Sequence, residues 1–438
     1  MVRIRHTKPG HYKVKTKAGS GQRVAGSYLL RATCYLLLLL LTSCSSSPGE
    51  KKYSPQKVGF TAQLNPLFDS QLYPSLILAL NQTGDPELSS QLTPFTVSVT
   101  SPANNTLLRV VIDSTTFNYV TTFEEILPHK GETYTIHPTV NWKYDRLSML
   151  RQSRPLDLAF TCYLNDESII TKNIHLTVRT VNECPLAFRN GSEVVDTRWL
   201  FAAYVNEDHP YIEQILSEIL SQGIVNRITG YQNGAKTARE QAFAVWYYAL
   251  NRGIAYSSIS CTSNPSTSTN VQHIRFFDQV YNSRQANCID ACVFFASILR
   301  KIGLRPLIFV EPCHAYLGYY TDKKTNSPIE LIETTITAWV NFPELEQSLD
   351  EEGKLPEEQF AKISKYLSQK QRDDYQNGKM SFEQMKVAVA RSLFEQANKY
   401  DLETYTQNKK YFDDPNSTSH QKLDIEKLRQ SVAPLPSE

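Results

Sequence analysis

Between Phe95 and Val178 apolar residues recur at every second position. "FTVSVTS", "LLRVVIDS" and "YTIHPTVNW" are alternating or β-branched. The clearest case is "LDLAFTCYLNDESIITKNIHLTVRT". Leu158, Phe160, Cys162 and Leu164 share one face, Asn165-Asp166 offers turn chemistry, and Ile174, Leu176 and Val178 share one face of the return. Period two with one apolar face is the signature of a half-buried strand. Several short strands with no helix between them predict an all-β sandwich of immunoglobulin-like architecture over residues 94–183.

The period then changes. "DHPYIEQILSEILSQG" predicts a helix with Asp208 as N-cap and Gly223 beyond its end, and "TAREQAFAVWYYALNRG" a second that stops at Gly253. "IAYSSIS" reads as a short strand. A nearly all-apolar helix opens at Cys288 behind Asn287, a good N-cap, and ends at Gly303. "LRPLIFVEP" is strand-like, and "CHAYLGYY" and "IELIETT" read as a hairpin around Thr321 to Pro328. Past Phe342, "EEQFAKISKYLSQKQ" and "SFEQMKVAVARSLFEQANKY" have amphipathic helical spacing. The expected fold is multidomain: the sandwich, an α+β domain over 184–342 and a helical C-terminal region over 343–438. Residues 44–93 are expected to be tether and linker.

The first 31 residues carry eight of the 46 Lys and Arg and no acid, and "CYLLLLLLTSCSSS" follows. The apolar run is far shorter than the ~20 residues a spanning helix needs. A basic lead, a short apolar core and small residues read as a secretory signal over 1–43. Leu41-Thr42-Ser43-Cys44 resembles a bacterial lipobox, which implies lipidation of Cys44, a bilayer anchor and an address in the cell envelope. Without that leader 38 basic residues face 44 acidic ones, a net charge of −6, which leaves no footprint for nucleic acid. Cys162 and Cys184 are close enough in sequence to pair in an oxidising compartment, or to remain two thiols.

Chemistry concentrates after Asn287. A thiol at the first position of a helix has its thiolate favoured by the helix dipole, and the same free N–H groups can hold a developing oxyanion. Asp290, in the first turn, suits the dipole and is read as structural. If Tyr320 faces Ile329 in the hairpin, Tyr316 faces Glu333, and His314 lies on the same face, diagonal to Glu333; Glu330 points the other way. Nucleophile, base and orienting acid then follow in the order Cys288, His314, Glu333. Gln279 and Gln285 are the available side-chain oxyanion donors.

"NCIDACVFFASILRKIGLRPLIFV", "CHAYLGYY" and "IELIETT", with "FAVWYYALNRGIAYSS" upstream, resemble the core of the transglutaminase-like superfamily over about Trp199 to Val340. The resemblance implies a papain-type fold with Cys288 as nucleophile, His314 as base and Glu333 as third member. It implies acyl transfer through a thioester on a peptide or protein substrate, more often ending in hydrolysis than in transamidation, with no cofactor. Glu333 stands where Asp is usual, and Cys313 stands where a small residue, often Gly, is expected. A fold of this type that binds a surface partner without turnover is the alternative. Cys288, Cys292, Cys313 and His314 can also be counted as four metal ligands. Their spacing within an apolar helix is unlike that of structural zinc sites, and no metal is expected.

Overall fold

A computed structural model describes residues 54–82, 92–191, 193–258, 269–324 and 328–436. Cys44 and the leader lie outside the described residues, as does Cys261. The chain mixes helices with several sheets, and the alternating segments form two of those sheets. β1 (Thr61–Leu64), β3 (Phe95–Thr100) and β6 (Thr133–Ile136) make a three-stranded sheet in the order β1-β3-β6. β2 (Gln71–Leu72), β4 (Thr106–Ile112), β5 (Thr121–Leu127), β7 (Arg154–Leu164) and β8 (Glu167–Val178) make a second, in the order β2-β8-β7-β4-β5.

The β7–β8 hairpin turns at Asn165 and Asp166, both in the left-handed region at φ 47° and 67°. Two successive positive φ values match the right-handed strand twist, and Asn and Asp tolerate them better than most residues. Phe95 of one sheet and Phe160 of the other pack at a tilt with centroids 5.4 Å apart, so the two sheets share a core.

The segment expected to be linker is part of this layer. β1 pairs with β3, Leu64 opposite Phe95, and β2 runs parallel to β8. Helix α1 (Pro74–Gln82) buries Leu76, Leu78 and Ala79. Pro and Gly punctuation made this stretch look like linker, but its short apolar runs supply the edge strands of the two sheets. β5 was not visible as a strand because only its two ends, Thr121 and Leu127, are buried.

β9 (Glu183–Asn190) follows these two sheets and pairs with β10 (Glu193–Asp196) and β12 (Thr269–His273). The described residues from 54 onward form a single unit whose main core runs from these two sheets into the following helices, and the expected boundary at 183/184 falls at the start of a strand. Helix α2 (Tyr211–Ser221) starts later than expected. Asp208 does not cap it: the Tyr211 N–H donates to His209 Nδ1 at 3.2 Å, and Asp208 pairs instead with Lys301 at 2.9 Å. Helix α3 (Gly234–Arg252) ends at Gly253, φ 73°, and buries Trp246, Tyr247 and Tyr248.

Downstream, β11 (Ala255–Tyr256) runs parallel to β13 (Gln285–Ala286), with helix α4 (Phe277–Ser283) between them in sequence. Helix α5 (Cys288–Lys301) follows. β14 (Pro306–Glu311), β15 (His314–Tyr320), β16 (Ile329–Ile332) and β17 (Gln421–Asp424) form an antiparallel sheet in the order β16-β15-β14-β17.

Both faces of this sheet are covered. Ile308, Val310, Leu317 and Ile332 join the core that contains α5. Leu307, Phe309, Tyr316 and Leu331 form a second cluster with Phe412. Phe412 ends helix α8 (Phe382–Phe412), which is preceded by α6 (Glu357–Ser364) and α7 (Gln369–Gln376). Two covered faces explain why β14 and β15 read as continuous apolar runs instead of alternating ones. The helical C-terminal region is therefore one wall of the sheet that carries His314.

Candidate active site

Asn287 fixes the start of α5 in an extended conformation (φ −81°, ψ −177°). The Asp290 N–H donates to Asn287 Oδ1 at 2.9 Å, and the Asn287 N–H donates to Asp290 Oδ2 at 3.0 Å. Each such cap contributes about 1 kcal/mol. Fully buried Asp290 is also held by the Arg275 N–H (2.8 Å) and Nη1 (2.7 Å). Asp290 is thus structural, as expected, and it locks the turn on which Cys288 sits. Cys288 is half-buried at the first helical position. Its N–H belongs to the group that has no acceptor within a helix.

His314 opens β15 directly after the tight turn from β14, where Glu311 and His314 form the closing pair. Cys313, in that turn, is exposed and has φ 65°. This is why a small residue suits the position: a Cβ is strained in the left-handed region and glycine is not.

The hairpin register has Tyr320 opposite Ile329 and Leu317 opposite Ile332, so the next residue, Glu333, falls beside Tyr316. His314 Nε2 lies 2.7 Å from Glu333 Oε2. Glu330 faces the other way, toward the Tyr319 hydroxyl at 2.7 Å and Arg239.

Glu333 is 2% exposed and caps the 3₁₀ turn Thr334–Trp339. Its Oε1 accepts from the N–H of Thr335 at 2.9 Å and from its hydroxyl at 2.7 Å. Burial pushes the Glu333 carboxyl up, but His314 and the Thr335 donors outweigh it and hold the group below its ordinary range. Burial likewise disfavours the His314 imidazolium. The Cys288 sulfur and the Glu333 carboxylate outweigh that effect and raise its pKa to about 10. The ring therefore interacts with both the Cys288 sulfur and the Glu333 carboxylate.

Of the proposed oxyanion donors, Gln279 is anchored through its side-chain oxygen. Its Oε1 accepts from Asn182 Nδ2 (2.7 Å) and from the Phe276 N–H (3.0 Å), which caps α4. Gln285 is exposed on β13. Tyr256, opposite Ala286 in the β11–β13 pair, was not singled out from sequence. Burial and then the charges of Cys288 and Glu333 raise its phenol.

A cavity of about 240 Å³ opens on the pair, lined by His314, Glu333, Thr335, Ile336, Trp339 and Tyr400. Trp339 is 54% and Tyr400 59% exposed, unusual for rings of that size. A larger hollow of about 600 Å³ lies at the far end of α5. Its Arg300 pairs with both Glu207 and Glu426.

The four-residue metal grouping does not form. Cys292 is buried with its sulfur 4.0 Å from the Thr334 hydroxyl, while Cys313 is exposed in the turn. Among the described residues, the set of metal-ligating atoms that gathers within 4.8 Å is His314, Glu333 and Asp401. Asp401 comes from α8 and carried no sequence signal, since "ANKYDLETY" reads as a polar helix surface. Cys162 and Cys184 are separate buried thiols.

No family model matches this chain, and no curated protein matches it.

Proposed function

We propose that this chain is a cysteine acyltransferase of transglutaminase-like type that most often hydrolyses a peptide or amide bond. The supporting observation is the 2.7 Å His314–Glu333 pair, with the Cys288 sulfur acting on the same ring and placed at a helix start. Cys288 attacks the substrate carbonyl with the proton of the sulfur–imidazole pair already held on His314. The carbonyl oxygen becomes an oxyanion, met by the Cys288 N–H and the Tyr256 hydroxyl. The C–N bond breaks as His314 returns the proton to the leaving amine, leaving a thioester. Water then adds with its proton passing to His314, and collapse releases the acid and frees the Cys288 sulfur, with the proton left on the ring. An amine in place of water would give transamidation. Glu333 holds the ring and stabilises the imidazolium.

The reading extends to the rest of the chain. The two-sheet module is taken as an immunoglobulin-like sandwich, and Cys44 as the lipid anchor that holds both to the cell envelope. The substrate is a peptide or protein of that compartment.

The test compares wild type with Cys288→Ala on a digest of envelope proteins read by mass spectrometry. New termini or new cross-links that depend on Cys288 support the reading. Identical digests from two folded proteins would replace the enzyme with a binding module.

A further inference from the structure

Asp401 is fully buried in α8, and neither carboxylate oxygen has a hydrogen-bond partner among the described residues. A carboxyl oxygen of Asp401 lies within 4.8 Å of both a Glu333 oxygen and a His314 ring nitrogen. Two buried carboxyls at that separation cannot both carry an uncompensated charge. Three remedies exist: donors from the protein, a bridging cation, or a proton.

Donors are lacking at Asp401. The charged and titratable groups that bear on it are Glu333 and His314 from the site, Glu311 from β14, Tyr316 from β15 and Cys292 from α5. His314 is the sole cation in that set, and its Nε2 is already engaged with Glu333.

A bridging metal fits poorly. Zinc bonds of ~2.0–2.2 Å at tetrahedral angles hold neighbouring ligand atoms ~3.3 Å apart. The 2.7 Å between His314 Nε2 and Glu333 Oε2 is a direct hydrogen bond with no ion between them. A proton remains. Glu333 also has room for it: the Thr335 N–H, the Thr335 hydroxyl and His314 fill three of its roughly four acceptor positions.

We propose that Asp401 is a neutral carboxylic acid that donates a hydrogen bond to Glu333, making it a positioning residue behind the Glu333–His314 pair. Burial, and then the adjacent Glu333, push its carboxyl up to about 10, in keeping with that state. The long C-terminal helix thereby fixes the site from behind while its neighbouring residue Tyr400 faces the cavity. The proposal rests on the catalytic reading above for its meaning but not for its chemistry.

The test reads the pH profile of Cys288 alkylation by iodoacetamide in the full chain, with folding checked by circular dichroism and thermal melting. Asp401→Leu, which removes the donor and keeps the volume apolar, is expected to slow alkylation at pH 7 about tenfold. Asp401→Asn, whose amide can donate the same bond, is expected to stay within about twofold of wild type from pH 6 to 8. An infrared band of a protonated carboxylic acid at pH 7, present in wild type and lost in Asp401→Asn, reads the proton directly.

The proposal is overturned if Asp401→Asn slows alkylation as much as Asp401→Leu, or if Asp401→Leu matches wild type. Absence of the acid band, or stoichiometric zinc binding that Asp401→Asn abolishes, overturns it as well. If wild-type Cys288 alkylates no faster than an ordinary thiol while the band persists, the enzyme reading fails and the shared proton stands.

Discussion

His314 and Glu333, 19 residues apart in sequence, meet at 2.7 Å because the β15–β16 hairpin puts them diagonally on one face. The contact is fixed from both ends. His314 is the first residue of its strand, and Glu333 is the cap of a 3₁₀ turn whose Thr335 occupies its second oxygen. The extra methylene of Glu relative to Asp is accommodated because the carboxylate lies back against its own following turn.

That arrangement predicts the effect of Glu333→Gln. Thr335 would still donate to the remaining carbonyl oxygen. The amide nitrogen would then face His314 Nε2 and force the opposite tautomer, leaving the ring unable to accept a proton on the side of the sulfur. Acyl transfer should fall by about 10²–10⁴-fold with little change in substrate KM. Steady-state kinetics on any substrate found in the Cys288-dependent digest would check it. A loss confined to KM would show that Glu333 shapes the cavity rather than the base.

The raised pKa of His314 carries a stability consequence. The folded value, about 10, lies above the ordinary 6.5, so charging the ring favours the folded state. The contribution is complete below about pH 6.5 and is lost as pH rises through 10. Urea midpoints at pH 6 and pH 10 should therefore differ more in wild type than in His314→Gln, by up to a few kcal/mol. Equal pH dependence in the two proteins would mean that the thiol and carboxylate do not hold the proton on the ring.

The β7–β8 hairpin, the start of α5 and the choice of Glu333 over Glu330 were all legible in sequence. Each rests on a short-range rule: alternation, capping or a register counted from one turn. What escaped depends on chain folding back from afar. β1 and β2 become strands only because β3 and β8 lie beside them. Asp401 looks like a surface residue until α8 crosses the sheet and buries it against Glu333. Asp208 looked like a cap, but Pro210 follows closely and His209 takes the role through its ring nitrogen. Local periodicity says which face of a helix is apolar; it does not say which polar residue on the margin will be sealed in.

Cys313 offers a test of the turn. Its φ of 65° costs a residue with a Cβ about 1 kcal/mol relative to glycine. Cys313→Gly should stabilise the protein by that amount in urea titration and leave the alkylation rate of Cys288 unchanged. If the substitution destabilises, or slows Cys288, the exposed thiol has a role that the turn geometry does not account for.

Trp339 tests what the cavity receives. The ring is half exposed, lines the space next to His314, and also borders a second hollow of about 500 Å³ with Lys365, Tyr366 and Gln396. Exposed aromatic area beside a nucleophile favours a substrate with an apolar or aromatic side chain near the scissile carbonyl, since such pairs contribute ~0.5–1.5 kcal/mol beyond burial. Cys288 should therefore react faster with a phenylalanine-derived chloromethyl ketone than its reaction with iodoacetamide predicts. Trp339→Ala should cut that preference about tenfold while sparing the iodoacetamide rate, because truncating an exposed ring removes contact with the ligand and little from the core. An equal fall with both reagents would make Trp339 a support for the 3₁₀ turn and Glu333. No change with either would put the substrate path on the Tyr256 side of the sulfur instead.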